Sequence, residues 1–223
     1  VEKIKSRVMD ANLKEGAFFM TVEQISREYG VSRTIAREAA NQIQALGLLQ
    51  ARKRVGLVVA RPEAQDLMRD WLPLYARSLG KKSLLALAEL RYTLELGAID
   101  LAIANAEKEQ LKHLTALAER FAAVTAEYGQ NEEANKIEFE FHCLLLTMTH
   151  NPLITGMHRV LADYFHEAAT SNPHWNEVSQ ASVWEHRMIA EAVAMQDTEL
   201  VRNLLRKHLK RSIEEIDSYL NTD

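Results

Sequence analysis

The sequence predicts a mainly α-helical protein in two parts: a small N-terminal unit of three short helices and a β-hairpin, then a larger all-α bundle. Three observations predict it. Apolar residues recur at spacings of three and four through most of the 223 residues. The one clear alternation of period two, "LLQARKRVGLVVA", occupies residues 48–60. Charge divides close to the end of that stretch: residues 1–61 carry 11 Lys+Arg against 6 Asp+Glu, and residues 62–223 carry 16 against 25.

The elements follow in order. Val1, Ile4, Val8 and Leu13 give residues 1–15 a helical pattern, ended by a turn at Gly16. "TVEQISREYG" reads as a second helix, capped by Thr21 and stopped by Gly30. Ser32 is the natural N-cap of a third helix that runs to Leu46 before Gly47. A hairpin with a basic tip follows, and Pro62 closes the unit. The expected domains are 1–61, a linker with room for an extra helix at 62–82, and an all-helical domain of six to seven helices at 83–223. In that last part "SLLALAELRYTLELGAIDLAIANA" (83–106) is apolar on most sides, as the central helix of a bundle would be.

Composition excludes several classes. No run reaches the apolar length of a membrane span, and the charged, amphipathic start is unlike a signal peptide. The single cysteine, Cys143, allows no internal disulfide, so the expected location is the cytoplasm. A basic small unit on an acidic larger one suggests that only the first meets a polyanion.

"EYGVSR" joins two short helices through a glycine, the pattern of a helix-turn-helix, whose second helix lies in the DNA major groove. Arg33, Thr34 and Arg37 then sit where base edges are read, and an arginine there can donate two hydrogen bonds to guanine. Ser32 and the helix N-terminus favour a phosphate. Arg52, Lys53 and Arg54 at the hairpin tip form a wing over the DNA backbone or minor groove.

In the acidic part, Glu138 and His142 are one helical turn apart, while His186 and His208 lie on the apolar faces of two later helices. Two readings stay open. Either each is a core histidine with its own hydrogen bond, or three imidazoles and a carboxylate converge on a cation such as zinc, nickel, manganese or iron. His158 and His166, eight apart on one helix, face either a cavity or solvent.

"GVSRTIAREAANQIQALGLL" with "ARKRVGLVV" resembles the winged helix-turn-helix of the GntR family of bacterial transcription regulators, matching at Gly30, Val31, Ser32, Arg33, Thr34, Arg37, Glu38, Ala39, Leu46, Gly47, Leu48 and Gly56. Two departures stand out. Ile35 replaces the usual proline, and Glu23 stands where many members place a DNA-contacting arginine. "LAELRYTLELGAIDLAIANA", "EFEFHCLLLTMTHNPLI" and "EHRMIAEAVAMQDTELVRNLLRKHL" resemble the FCD ligand-binding domain of the FadR-type branch. That resemblance implies a metal held by Glu138 (in place of the commoner Asp), His142, His186 and His208, zinc being the first choice. It implies a small carboxylate effector at Arg91, and a homodimer on a palindromic operator. The expected function is a ligand-responsive DNA-binding regulator, a repressor rather than an enzyme. A metal-dependent enzyme, or a helical sensor that no longer binds DNA, are the alternatives.

Overall fold

A computed structural model describes residues 1–11, 13–63, 65, 66, 72, 74, 78, 80, 82–129, 131–171 and 180–221. The chain divides into two compact units, Val1–Leu67 and Met68–Asp223.

The first unit holds α1 (Glu2–Asp10), β1 (Phe18–Met20), α2 (Val22–Tyr29), α3 (Arg33–Ala45), β2 (Leu49–Arg52) and β3 (Gly56–Val59). Its helix ends are set by side chains. Thr21 and Gln24 form a reciprocal capping box at the start of α2, and Gly30 takes a left-handed conformation after its end. The Ile35 N–H donates to Ser32 Oγ at 3.3 Å, which caps α3. Gly47 must be glycine: its φ is +69° and a Cβ there would meet the Pro62 Cβ at 2.9 Å. The expected hairpin is β2–β3, paired antiparallel from Leu49↔Val59 to Arg52↔Gly56. The third strand, β1, is absent from the sequence-based expectation. It pairs with the other side of β3, giving the order β1-β3-β2. At three residues it is too short to show a period. The core between helices and sheet is made by Ile4, Val8, Ile25, Ala36, Ala40, Ile43, Leu49 and Leu57. Helix α1 stops at Asp10, sooner than its apolar pattern, and Leu13 reaches this core from the following turn.

Among the described residues the second unit is all helix: α4 (Lys82–Asn105), α5 (Lys108–Tyr128), α6 (Glu132–Thr147), α7 (Pro152–Ser171), α8 (Gln180–Ala194) and α9 (Thr198–Leu220). Helix α4 packs against α6, α7 and α9, which is why its sequence is apolar nearly all round. Phe121, Ile137, Phe141, Leu145, Ile189, Val201 and Leu205 form the main core, and Leu87, Leu161, Phe165 and Ile216 a second cluster. The helix expected within 62–82 lies mostly outside the described residues, although Gln65, Asp66, Leu72, Leu74 and Ser78 have helical backbone. No helix among the described residues is long and apolar enough to cross a membrane.

Candidate metal centre and nucleic-acid surface

Three helices bring the four sequence-predicted ligands together. Helix α6 carries Glu138 and His142 one turn apart, α8 carries His186 in line with Ile189, Ala190 and Val193, and α9 carries His208 between Leu205 and Leu209. One ligand atom from each of Glu138, His142, His186 and His208 lies within 4.8 Å of all the others. The imidazoles are buried and Glu138 is half-buried. The His186 ring is wedged between the Phe121 and Phe141 rings, at centroid distances of 4.8 and 4.9 Å.

The hydrogen bonds fix what each imidazole offers. His142 Nδ1 lies 2.7 Å from Glu95 Oε2, His208 Nδ1 lies 3.0 Å from Glu185 Oε2, and His186 Nδ1 lies 2.8 Å from the Ser182 carbonyl. The Glu95 and Ser182 oxygens are acceptors, and at His208 the Glu185 oxygen at 3.0 Å is nearer than the Arg211 donor at 3.5 Å, so in each neutral ring Nδ1 carries the proton and donates it. Nε2 is then a bare lone pair in all three rings. The Nε2 atoms of His142 and His208 face one another at 3.2 Å, and buried His186 Nε2 has no hydrogen-bond partner among the described residues. Lone pairs converging without a hydrogen between them repel; a cation at their meeting point reverses the sign.

Burial disfavours a proton on two of the three rings. Burial, then the charge of Arg91, push His142 down to about 3 against the opposing pull of Glu95. Burial and the neighbouring imidazoles hold His186 well below the usual histidine range. Burial alone would raise Glu95, but His142, the Arg91 charge and hydrogen bonds from His142 and His158 keep it well below the usual carboxylate range. Since His142 stays neutral near pH 7, Arg91 supplies the lasting charge. At Glu185 the hydrogen bond from His208 and the charge of Arg211 likewise outweigh burial and lower it.

Stability therefore depends on pH. Unfolded, both depressed imidazoles bind protons near pH 6.5; folded, they bind them only far lower, so falling pH favours the unfolded chain. Through these two imidazoles stability should fall below about pH 6.5, by up to about 1.4 kcal/mol per pH unit for each, while above pH 6.5 the raised His158 gives up its own contribution as pH rises. Between pH 6.5 and 5 the lowered carboxylates add no slope, because they begin to lose stability only near their unfolded value of 4.5. His158, which is raised, has already made its full contribution below pH 6.5. Thermal melts of metal-free protein at pH 7.5, 6 and 5 measure the trend; midpoints that stay level down to pH 5 would contradict it.

Sequence reasoning missed the residues behind the ligands. Buried Glu95 on α4 accepts from Arg91 Nε at 2.7 Å and pairs with His158 Nε2 at 3.1 Å, in addition to His142. Glu185 on α8 joins His208 to Arg211, whose Nη2 donates to it at 2.6 Å. A carboxylate set among leucines in "YTLELGAI", and another adjoining His186, are the available signals. His158 faces the interior, and the side chain of His166 lies outside the described residues. Arg91 is buried against Glu95 and the Phe165 ring, and its Nη2 has no partner among the described residues. Carboxylates behind ligating histidines commonly contribute 10–100-fold in metal affinity. Glu185→Gln should therefore weaken divalent-cation binding by about 10–100-fold, with little effect on folding because Arg211 keeps Glu215 at 3.3 Å. Calorimetric titration of the variant with zinc checks this.

In the first unit Ser32, Arg33, Thr34 and Arg37 are exposed along the N-terminal half of α3. Arg52, Lys53 and Arg54 are exposed around the β2–β3 turn, where Arg54 takes a positive φ of 65° before Gly56. Glu23 is exposed in the first turn of α2.

A basic three-helix unit with a wing is an architecture of DNA-binding proteins, joined in this chain to a helical unit that gathers three imidazoles and a carboxylate. The chain belongs to the gntR family of bacterial regulatory proteins and carries an FCD domain: the first family model matches residues 1–59 and the second residues 86–211. It is similar to the HTH-type transcriptional regulator YdhC of Bacillus subtilis, with 23% identity over 218 residues, 98% of this chain and 89% of the relative. It is 26% identical to the Uxu operon regulator of Haemophilus influenzae over 196 residues, 85% and 70% of the two chains. It is 23% identical to the HTH-type transcriptional repressor NanR of Salmonella arizonae over 211 residues, 93% and 79%. The fold is shared with a GntR protein of Streptococcus agalactiae, at a TM-score of 0.70 and 18% identity over 96% of this chain and 97% of that one. The protein is a DNA-binding transcription regulator of the GntR type with an FCD domain. Its relatives are named as transcription regulators, in line with the expectation of a regulator rather than a metal-dependent enzyme.

Proposed function

We propose that this regulator is a cytoplasmic homodimeric repressor whose helical domain (83–223) binds one divalent metal ion and a small carboxylate. Together these set the grip of the winged units (1–61) on a palindromic operator, with 62–82 as the linker. In this reading Arg33, Thr34 and Arg37 read bases. Ser32, Arg52, Lys53, Arg54 and the Gly56 turn hold the backbone. The observation that carries the sensing half is that Glu138, His142, His186 and His208 each bring a ligand atom within 4.8 Å of the others, while each imidazole Nδ1 is held by an acceptor of its own.

The residues fit a metal. Glu138, His142, His186 and His208 are a nitrogen and oxygen donor set suited to zinc, with nickel, manganese and iron(II) as the other candidates, and Glu95, Ser182 and Glu185 orient the rings from behind. Once bound, such an ion offers open coordination positions to an anionic ligand. Arg91, buried and positively charged, is the side chain suited to a carboxylate, through its unpaired Nη2. Two arrangements of the helical domain that differ in affinity for the ligand would change DNA affinity by the coupling free energy, commonly about 1–3 kcal/mol. Two-fold symmetry follows from reading two half-sites.

Binding of operator-length duplexes selected from a random library, followed by fluorescence anisotropy at 50 and 200 mM salt with zinc or with chelator, tests this. Affinity should fall steeply with salt, by counterion release, and should differ between the zinc and chelator arms. Equal affinity in both arms would refute the metal's role, and absence of binding at low salt would refute the repressor.

A further inference from the structure

We infer that Ile35 is a specificity-determining residue of the recognition helix, and that it recognises the C5-methyl group of a thymine in the major groove. This rests on the reading of α3 as the helix that enters the groove.

Ile35 is 54% exposed, the one large apolar side chain so exposed among the described residues of α3. Single exposed apolar residues are common on protein surfaces and need no explanation by themselves. What sets Ile35 apart is its position. It stands in the first turn of α3, among exposed Ser32, Arg33, Thr34, Arg37 and Glu38, while the core of the unit is filled from the other face by Ala36, Ala39, Ala40 and Ile43. The fold gives no reason for a β-branched residue here, since its side chain adds nothing to that core and branching lowers helix propensity. The backbone of Ile35 does serve the fold, because its N–H donates to Ser32 Oγ and so fixes the turn from which the side chain projects.

At 100° per residue, Ile35 and Gln42 fall on one edge of the exposed face, Arg37 falls on the opposite edge, and Thr34, Glu38 and Asn41 lie between. The N-terminal residues of a recognition helix meet base edges. An aliphatic side chain there has one favourable target in the major groove, because the only apolar group that a base edge presents is the thymine methyl. The other bases present hydrogen-bonding groups that isoleucine cannot satisfy and would desolvate. The arrangement therefore divides the work, with arginine on one edge for purine acceptors and isoleucine on the other for a methyl group. At the position where the resemblance puts proline, this chain carries a residue whose backbone N–H donates to the cap and whose apolar side chain is larger.

The test is a methyl-deletion cycle. The intact protein selects a duplex from a random library, and each thymine of the enriched site is then replaced in turn by deoxyuridine, which lacks only the methyl group. Both the intact protein and Ile35→Ala are titrated with every duplex. Ile35→Ala preserves the capping N–H and improves helix propensity, so it folds. The expected result is one thymine per half-site whose replacement weakens the intact protein by about fourfold, the worth of one buried methyl group, and leaves Ile35→Ala unaffected. Equal losses in both proteins at every thymine, no loss at any of them, or an enriched site without thymine would overturn the inference while leaving DNA binding intact. Failure to enrich any duplex would overturn the reading of α3 and the inference with it.

Discussion

His208→Ala should abolish most of the stabilisation that a divalent cation gives this protein, while leaving the metal-free protein folded. Zinc sites in small domains bind with about 10–16 kcal/mol, so one ligand in four carries roughly 3 kcal/mol, or about a hundredfold in affinity. At a free concentration one hundred times the dissociation constant, the intact protein should gain about 2.7 kcal/mol, and the variant only about 0.4 kcal/mol. For a chain of this size that difference is a thermal shift of roughly 5–10 °C in the intact protein and about 1 °C in the variant. His208 is the informative position. Its loss leaves Glu185 paired with Arg211 and removes one of the two nitrogen lone pairs that face each other at 3.2 Å. His186→Ala would also empty the space between Phe121 and Phe141, mixing a packing loss with the loss of a ligand. A zinc-dependent shift of equal size in His208→Ala and the intact protein, by differential scanning fluorimetry, would contradict the ligand set.

The second large effect is expected on DNA. Arg33 and Arg37 are exposed on α3 and the core of their unit does not include them, so truncating either should leave the fold intact. A bidentate arginine–guanine pair discriminates between bases by about 1–3 kcal/mol, so Arg33→Ala should lose roughly 5–150-fold on the selected operator and much less on unrelated duplex. Lys53→Ala, by contrast, should weaken all duplexes alike and flatten the salt dependence by about one unit of slope, as a lost phosphate contact does. Anisotropy titrations on both duplexes at several salt concentrations separate the two patterns. Uniform loss for Arg33→Ala would move it from base reading to backbone contact.

What the sequence makes legible follows from the range of the interactions. Helices α2 and α3 are readable because their signals are local: a capping Thr21, a left-handed Gly30 and a capping Ser32 act within a turn. The four candidate ligands are readable only in part: helical spacing places Glu138 one turn from His142 and puts His186 and His208 on apolar faces, and the family resemblance, not the spacing, singles them out as a set. Their convergence is not readable, since it depends on how α6, α8 and α9 pack. Glu95 is invisible for a related reason. On a helix apolar on most sides, nothing local separates a buried carboxylate from an exposed one, and its partners His142 and His158 are 47 and 63 residues away. Strand β1 is held by pairing with β3, nearly forty residues later, and its three residues carry no pattern of their own.

The sensing half of the proposal stands or falls on whether the converging imidazoles hold an ion. X-ray absorption spectroscopy on the intact chain, loaded with zinc at pH 7.5 and freed of excess, addresses this most directly. The expected spectrum shows one zinc per chain in a shell of nitrogen and oxygen donors only, with the multiple-scattering signature of three imidazoles, reduced to two in His208→Ala. Zinc that washes out of the intact protein, or a shell that keeps its imidazole count in the variant, would contradict it.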